Sequence, residues 1–294
     1  MIELFFYQIA HMQNQVKTYC IIGDPIHYSL SPAMQNAAFN SLGLNCTYIA
    51  FRVPKGELEE SIFSLRSTNI AGFNVTIPHK VEVVKYLDDL DTTAKKANAV
   101  NTVHNSEGIF KGYNTDVYGF IEPLHKRNVI FNGMTILLLG AGGAAHAVIA
   151  ALSDEKGIYK IIIANRSQKR AEELAEIGST LGLQCETVLM DNIQDLAIRS
   201  HLIINTIPIR INNEESIIDY EHISKDSIVY DIVYKPITTN LLENAKYAKA
   251  RVVYGYEMLL EQGAKAFEIW TGISAPRDAM KKALFGSFGE PYEK

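Results

Sequence analysis

Cysteine is scarce in this chain. Its three residues, Cys20, Cys46 and Cys185, are scattered along 294 positions with no CxxC pair and no His pair nearby. That spacing suggests neither a disulfide framework nor a zinc site, so no metal is expected, and it fits a reducing cytoplasm. Long apolar runs are missing as well. The longest, 134–139 and 159–164, are strand-length, far short of the roughly 20 residues of a membrane-spanning helix. The opening MIELFFYQIA is apolar but lacks a basic leading region and a small-residue cleavage site, so it does not read as a signal peptide. Nor is there an excess of positive charge: 28 Lys and Arg face 33 Asp and Glu, for a net charge of -5. Such a balance does not serve to neutralise many phosphates, which excludes nucleic acid as a partner. What is present is ordinary globular composition, 47% hydrophobic and 21% charged. The length implies two domains of roughly 100 to 200 residues.

Periodicity gives the order of elements. Residues 16–23 read as a buried strand, 32–42 as a helix, 46–53 as a second strand and 55–68 as an amphipathic helix. Residues 72–76 then form a third strand, stopped by Pro78. This β-α-β-α-β alternation predicts a mainly parallel sheet with active residues at the carboxyl ends of its strands. A helix over 117–127 leads into a second series: MTILLLG, AAHAVIAALSDE and YKIIIANRS read as strand, helix, strand, and HLIINTIP and SIVYDIVY add two more strands. Residues 117–255 therefore read as a Rossmann-like domain. Helices over 258–271 and 275–285 follow, too little to finish a domain alone, and are expected to return to the first.

The segment LLLGAGGAAHA places Gly140, Ala141, Gly142, Gly143 and Ala144 where a buried strand must turn sharply into a helix. Glycine there lets the backbone approach a pyrophosphate, whose charge the helix N-terminal N–H groups hold. The second strand ends in Asn165, Arg166 and Arg170, where an NAD enzyme would carry an acid for the ribose 2′-hydroxyl. Guanidinium groups suit a 2′-phosphate instead, because their planar fork donates two hydrogen bonds, so NADP is the expected cofactor.

Four further segments carry polar groups. GDPIHYSLSP places Ser29 and Ser31 after the first strand, with Ser31 also standing where an N-cap would precede Pro32. GFNVTIPHK holds Thr76 and Lys80 beyond a Pro-stopped strand. ANAVNT and GYNTD add Asn101 and Asp116.

Together with the later DIVYKPITTNLLENA and YGYEMLLEQGAKAFEIWTG, these segments resemble the shikimate dehydrogenase family over about residues 19–272. The resemblance implies a cytoplasmic, NADP-linked oxidoreductase that reversibly reduces 3-dehydroshikimate to shikimate in aromatic amino acid biosynthesis. It implies a discontinuous substrate-binding catalytic domain of residues 17–116 and 256–294, an NADP-binding domain of 117–255, and small molecules as ligands of a monomer or homodimer. By the same resemblance Ser29 and Ser31 bind the carboxylate, while Thr76, Lys80, Asn101, Asp116 and Gln262 surround the ring hydroxyls. Lys80 and Asp116 form the catalytic pair, either of them the proton acceptor. Tyr234 meets substrate near the nicotinamide, Gly255 and Met258 line the nicotinamide site, and Asn205 and Thr206 approach the dinucleotide through backbone and side chain.

The chain departs from the family pattern in places. Asn98 stands where Gly is usual, a substitution that tolerates positive φ. Gly263 stands where Ala is usual, weakening its helix by up to about 1 kcal/mol. Ile209 and Arg210 put bulk and charge beside the expected cofactor edge. Residues 1–11 have no family counterpart and no assigned function. Two other readings remain: a broader quinate/shikimate dehydrogenase, and a non-catalytic ligand-sensing homologue, against which the presence of both Lys80 and Asp116 weighs.

Overall fold

A computed structural model describes residues 16–68, 70–208 and 216–289. The 1–11 segment, Ile209 and Arg210 lie outside the described residues. The chain divides into two compact units: the first holds residues up to Asp91, Val100–Tyr113 and those from Gly263 on, the second Thr92–Ala99 and Asn114–Gln262.

In the first unit, β1 (Lys17–Gly23), α1 (Ser31–Ser41), β2 (Cys46–Arg52), α2 (Leu58–Arg66) and β3 (Ile70–Val75) follow the alternation read from the sequence. Strand β1 buries Tyr19, Cys20, Ile21 and Ile22 because it lies between β2 and β3, parallel to both. The rest of this sheet is β4 (Asp89–Leu90), β5 (Thr102–Ser106) and β6 (Ile109–Tyr113), in the order β2-β1-β3-β5-β6-β4. The sheet is mainly parallel, as expected; β5 is the exception, running antiparallel to both β3 and β6. The β5–β6 pair is joined by a two-residue turn, Glu107 and Gly108, both at positive φ (54° and 88°). Two such residues give the primed turn whose twist matches a hairpin. Tyr19, Phe39, Phe267 and Trp270 stack across the buried face at centroid separations of 4.9 to 5.5 Å. The Trp270 indole donates to the Val103 carbonyl at 3.0 Å.

The second unit begins with α3 (Thr92–Ala97) and α4 (Thr115–His125). Its strands and helices are β7 (Thr135–Leu139), α5 (Gly143–Leu152), β8 (Lys160–Ala164), α6 (Gln168–Thr180), β9 (Cys185–Val188), α7 (Ile193–Ala197), β10 (Leu202–Asn205), β11 (Ile228–Asp231), α8 (Asn240–Tyr247) and β12 (Arg251–Tyr254). The sheet is wholly parallel in the order β12-β11-β10-β7-β8-β9. Both faces are covered: Ile136 and Leu138 of β7 enter one apolar cluster, Leu137 and Leu139 the other. Strand order reverses between β7 and β10, and at such a switch point ligands bind beyond the carboxyl ends.

The division differs from the one read in the sequence. Residues 92–99, 114–116 and 256–262, expected in the first domain, belong to the second unit. The reason is local bonding: Asn114 donates from its backbone N–H to Thr93 Oγ1 at 3.0 Å, and from Nδ2 to the Ala99 carbonyl at 2.9 Å. His146 on α5 meets the Ala97 carbonyl at 2.9 Å, and Lys96 pairs with Asp154. The two closing helices are α9 (Gly255–Thr271), whose second half belongs to the first unit, and α10 (Arg277–Phe288), which packs on α1. Among the described residues no helix is long and apolar enough to cross a membrane.

Candidate active site

In the first unit the ends of β1 and β3 are stitched together. Asp24 N–H donates to the Ile77 carbonyl at 2.9 Å and Thr76 N–H to the Ile22 carbonyl at 2.9 Å. Gly23 permits this approach, because a side chain there would overlap Thr76. The loop bearing Ser29 and Ser31 thus adjoins the loop bearing Thr76 and Lys80. Lys80 is half-buried, and its carbonyl accepts from Val100 N–H at 2.8 Å, one residue before Asn101. Ser31 does not cap α1 as its place before Pro32 suggests: the cap position is Leu30, with no side-chain capping bond. Ser31 is the first helical residue, buried, and its N–H donates to Ser29 Oγ at 3.3 Å. Asn98 does adopt positive φ, 45°. At Gly263 a Cβ would overlap the Met34 thioether, and Gln35 Nε2 donates to the Gly263 carbonyl at 2.9 Å, so the missing methyl is matched by Met34.

Three residues of this region have no role in the sequence reading. Tyr48 hydroxyl donates to Asn74 Oδ1 at 2.5 Å. Asn74 Nδ2 donates to the Asn101 carbonyl and to Thr102 Oγ1, both at 2.9 Å, and Thr102 Oγ1 donates to Asn101 Oδ1 at 3.0 Å. All four residues are buried. The available signal was Asn74 itself, an amide within the strand IAGFNV, because buried amides need partners.

In the second unit Asp116 lies in the first turn of α4, buried, and Gln262 lies on α9, also buried. Gly119, one turn after Asp116, lets the two helices meet: a Cβ there would stand 2.6 Å from Gln262 Cβ and 2.8 Å from the Met258 carbonyl. Arg127 grips Glu257 of α9 with two hydrogen bonds at 2.7 and 2.8 Å, and Lys126 pairs with Glu261 at 2.6 Å. Met258 is buried one turn before Gln262. Gly255 packs on the backbone of Ile232 and Val233, next to Tyr234, whose phenol burial pushes above its ordinary pKa.

The glycine turn fits a pyrophosphate. Gly140 has φ +104°, and a Cβ there would stand 2.5 Å from Thr206 Oγ1. Helix α5 starts at Gly143 after Gly142, with no side-chain cap and no acid in its first turn, so its N–H groups are left to an anion. A Cβ on Gly142 would meet nothing within 4 Å. Ala141 is buried, and Ala144 half-buried in the first turn of α5. Beyond β8, Asn165 Nδ2 donates to the Ser167 carbonyl at 3.0 Å, and Ser167 caps α6 by accepting from Arg170 N–H at 3.5 Å. Arg166 and Arg170 are both exposed, and among the described residues no acid forms an ion pair with either.

Asn205 and Thr206 depart from the expectation that their side chains approach the cofactor. Asn205 is buried, with Nδ2 donating to Asp231 Oδ1 at 2.9 Å and Oδ1 accepting from Ile207 N–H at 3.0 Å. Thr206 Oγ1 donates to the Leu139 carbonyl at 2.7 Å. Both side chains are spent on the fold, holding β10 against β7 and β11. Asp231, absent from the sequence reading, also accepts from Val233 N–H at 3.0 Å and Thr239 Oγ1 at 2.7 Å.

Comparison with known proteins gives three family matches: a shikimate dehydrogenase substrate binding domain over residues 21–103, a shikimate / quinate 5-dehydrogenase over 124–232, and a shikimate 5'-dehydrogenase C-terminal domain over 255–285. A shikimate dehydrogenase (NADP(+)) of Nitrosopumilus maritimus is 48% identical over 272 residues, 92% of this chain and 99% of that one. Among solved structures, a shikimate dehydrogenase in complex with NADP+ matches with a TM-score of 0.85 at 38% identity, covering 93% of this chain and 96% of that one. The Thermus thermophilus shikimate 5-dehydrogenase in complex with NADP(H) and shikimate matches with a TM-score of 0.80 at 33% identity, covering 92% and 100%.

Proposed function

The chain belongs to the shikimate dehydrogenase family, and on that footing we propose that it catalyses the reversible, NADPH-dependent reduction of 3-dehydroshikimate to shikimate in the cytoplasm. What supports this most is the gathering of Ser29, Ser31, Thr76, Lys80 and Asn101 around the carboxyl ends of β1 and β3. The first unit serves as the substrate domain and the second as the NADP domain. Ser29 and Ser31 bind the substrate carboxylate. Thr76, Lys80, Asn101, Asp116, Tyr234 and Gln262 take the ring hydroxyls.

NADP, when bound, supplies or accepts the hydride. The turn of Gly140, Ala141, Gly142, Gly143 and Ala144 and the N-terminus of α5 hold its pyrophosphate, Arg166 and Arg170 its 2′-phosphate, and Gly255 and Met258 flank the nicotinamide. As the C3 carbonyl becomes an alkoxide, the Lys80 ammonium stabilises the charge and donates a proton to that oxygen. In the oxidative direction neutral Lys80 takes the hydroxyl proton back, with Asp116 orienting the hydroxyl.

The test is absorbance at 340 nm with shikimate and NADP. Turnover is expected, with a lower Michaelis constant for NADP than for NAD, and Lys80→Ala should lose activity mainly in kcat. Undiminished activity in Lys80→Ala removes Lys80 from the mechanism, and a preference for NAD overturns the 2′-phosphate assignment. The family match also names quinate, so turnover with quinate, measured alongside, separates a strict shikimate enzyme from a broader one.

A further inference from the structure

We infer that Tyr48, Asn74 and Thr102 form a buried relay that fixes the sense of the Asn101 carboxamide and so positions it for substrate. This rests on the proposal above that Asn101 binds a ring hydroxyl. The relay can be read bond by bond. Asn74 lies between the Asn101 carbonyl, 2.9 Å from Nδ2, and the Tyr48 hydroxyl, 2.5 Å from Oδ1. A carbonyl only accepts, so Asn74 must turn its NH2 toward Asn101, and its oxygen therefore faces Tyr48. Tyr48 in turn must donate. The second Nδ2 hydrogen goes to Thr102 Oγ1 at 2.9 Å, and the Thr102 hydroxyl passes its own proton to Asn101 Oδ1 at 3.0 Å. Every donor in this chain points one way, and its last link holds the oxygen of the Asn101 amide. The Asn101 NH2 is thereby directed away from Thr102, as a donor.

The anchor at the other end is equally defined. Asn36 clamps the Tyr48 backbone with two bonds at 2.8 Å, from Asn36 Nδ2 to the Tyr48 carbonyl and from Tyr48 N–H to Asn36 Oδ1. Tyr48 is 1% exposed, and burial pushes its phenol well above the ordinary value, so it stays a donor at any working pH. The ring itself packs near Trp270, at a centroid separation of 6.0 Å. Phenylalanine would keep that packing, so the hydroxyl's contribution is separable from the ring's. A fully satisfied polar chain in an aromatic core imposes one arrangement on its members. Thr102 is thus a positioning residue acting through Asn101, and Tyr48 one acting through Asn74 and Asn101, although its hydroxyl also meets the Ser31 side chain.

The experiment compares Tyr48→Phe, Thr102→Val and Thr102→Ser in steady-state kinetics, with thermal melts of each. Tyr48→Phe and Thr102→Val should raise the KM for shikimate about five- to tenfold, the scale of one buried hydrogen bond. The KM for NADP should stay within about twofold, and Thr102→Ser, which keeps the hydroxyl, should restore the wild-type KM. A lowered Tm with an unchanged shikimate KM, or an equal rise in both KM values, would mean the relay is merely structural and overturns the inference. Because Tyr48→Phe also removes a hydrogen bond to Ser31, the Thr102 pair decides between the relay through Asn101 and an effect on the carboxylate site: an unchanged shikimate KM in Thr102→Val overturns the inference. Failure of the wild-type protein to turn over shikimate overturns the proposed function first, and this inference with it.

Discussion

Substituting Gly119 by alanine tests whether the approach of α4 to α9 governs the reaction. The added Cβ would stand 2.6 Å from Gln262 Cβ, 2.8 Å from the Met258 carbonyl oxygen and 2.9 Å from Gln262 N. Ordinary contacts are about 3.5 to 4.0 Å, so the helices must part by about 1 Å. Two of those three atoms are backbone, and no rotamer change can relieve them. Overpacking of this kind costs about 1 to 3 kcal/mol, while replacing a helical glycine by alanine returns about 1 kcal/mol. The net destabilisation should be at most about 2 kcal/mol, measured by urea unfolding. The catalytic effect should be larger, because Asp116 lies one turn from Gly119 on α4 and Gln262 takes the contact directly; a misplacement of about 1 Å costs on the order of 100-fold in turnover. Gly286→Ala is the control: it too is helical, but a Cβ there meets nothing within 4 Å. It should gain up to about 1 kcal/mol and leave activity unchanged. If Gly119→Ala proves as stable as Gly286→Ala, or turns over at the wild-type rate, the spacing argument is wrong.

Asp231 offers a second test, since its carboxylate accepts from Asn205, Val233 and Thr239. Asp231→Ala strands all three donors and should lower the urea-unfolding free energy by more than about 3 kcal/mol, whereas Asp231→Asn, which keeps an acceptor and removes the charge whose burial raises this carboxyl's pKa, should lose clearly less. Equal losses would count against it. A third concerns pH: burial holds the pKa of His146 below its ordinary value of 6.5, ahead of a smaller opposite pull from the Ala97 carbonyl. Below about pH 6.5 the unfolded chain takes up a proton that the folded one refuses, so stability should fall as pH drops from about 6.5 to 5.5, by less than about 1.4 kcal/mol per unit. In His146→Asn that slope should flatten, and an unchanged slope would place its origin elsewhere.

Much of the candidate site's local geometry was legible in the sequence because it rests on local constraints. The turn at Gly140 requires positive φ, and the absence of an acid at residues 165–170 is visible without coordinates. The serine and lysine segments lie beside strand ends that periodicity locates. Less legible were the hydrogen-bond directions: Asn205 looked like a cofactor residue but its amide is committed to Asp231, 26 residues away. Ser31 looked like a cap, yet the cap position is Leu30, and the Ser31 side chain meets the Tyr48 hydroxyl instead.

The sequence alone determined the alternation of strands and helices, the glycine turn after β7 and the resemblance carried by its polar segments, since these depend on period, backbone freedom and residue type within a short span. Only the tertiary structure decided that residues 92–99 and 114–116 join the second unit, that β5 runs antiparallel to β3 and β6 in the first sheet, and that Gly119 admits Gln262. It alone linked Tyr48 to Asn74 and Asn74 to Thr102, across 26 and 28 residues. The physical reason is that a buried hydrogen bond is satisfied by whichever group packing brings within about 3 Å, and separation along the chain says nothing about which group that is.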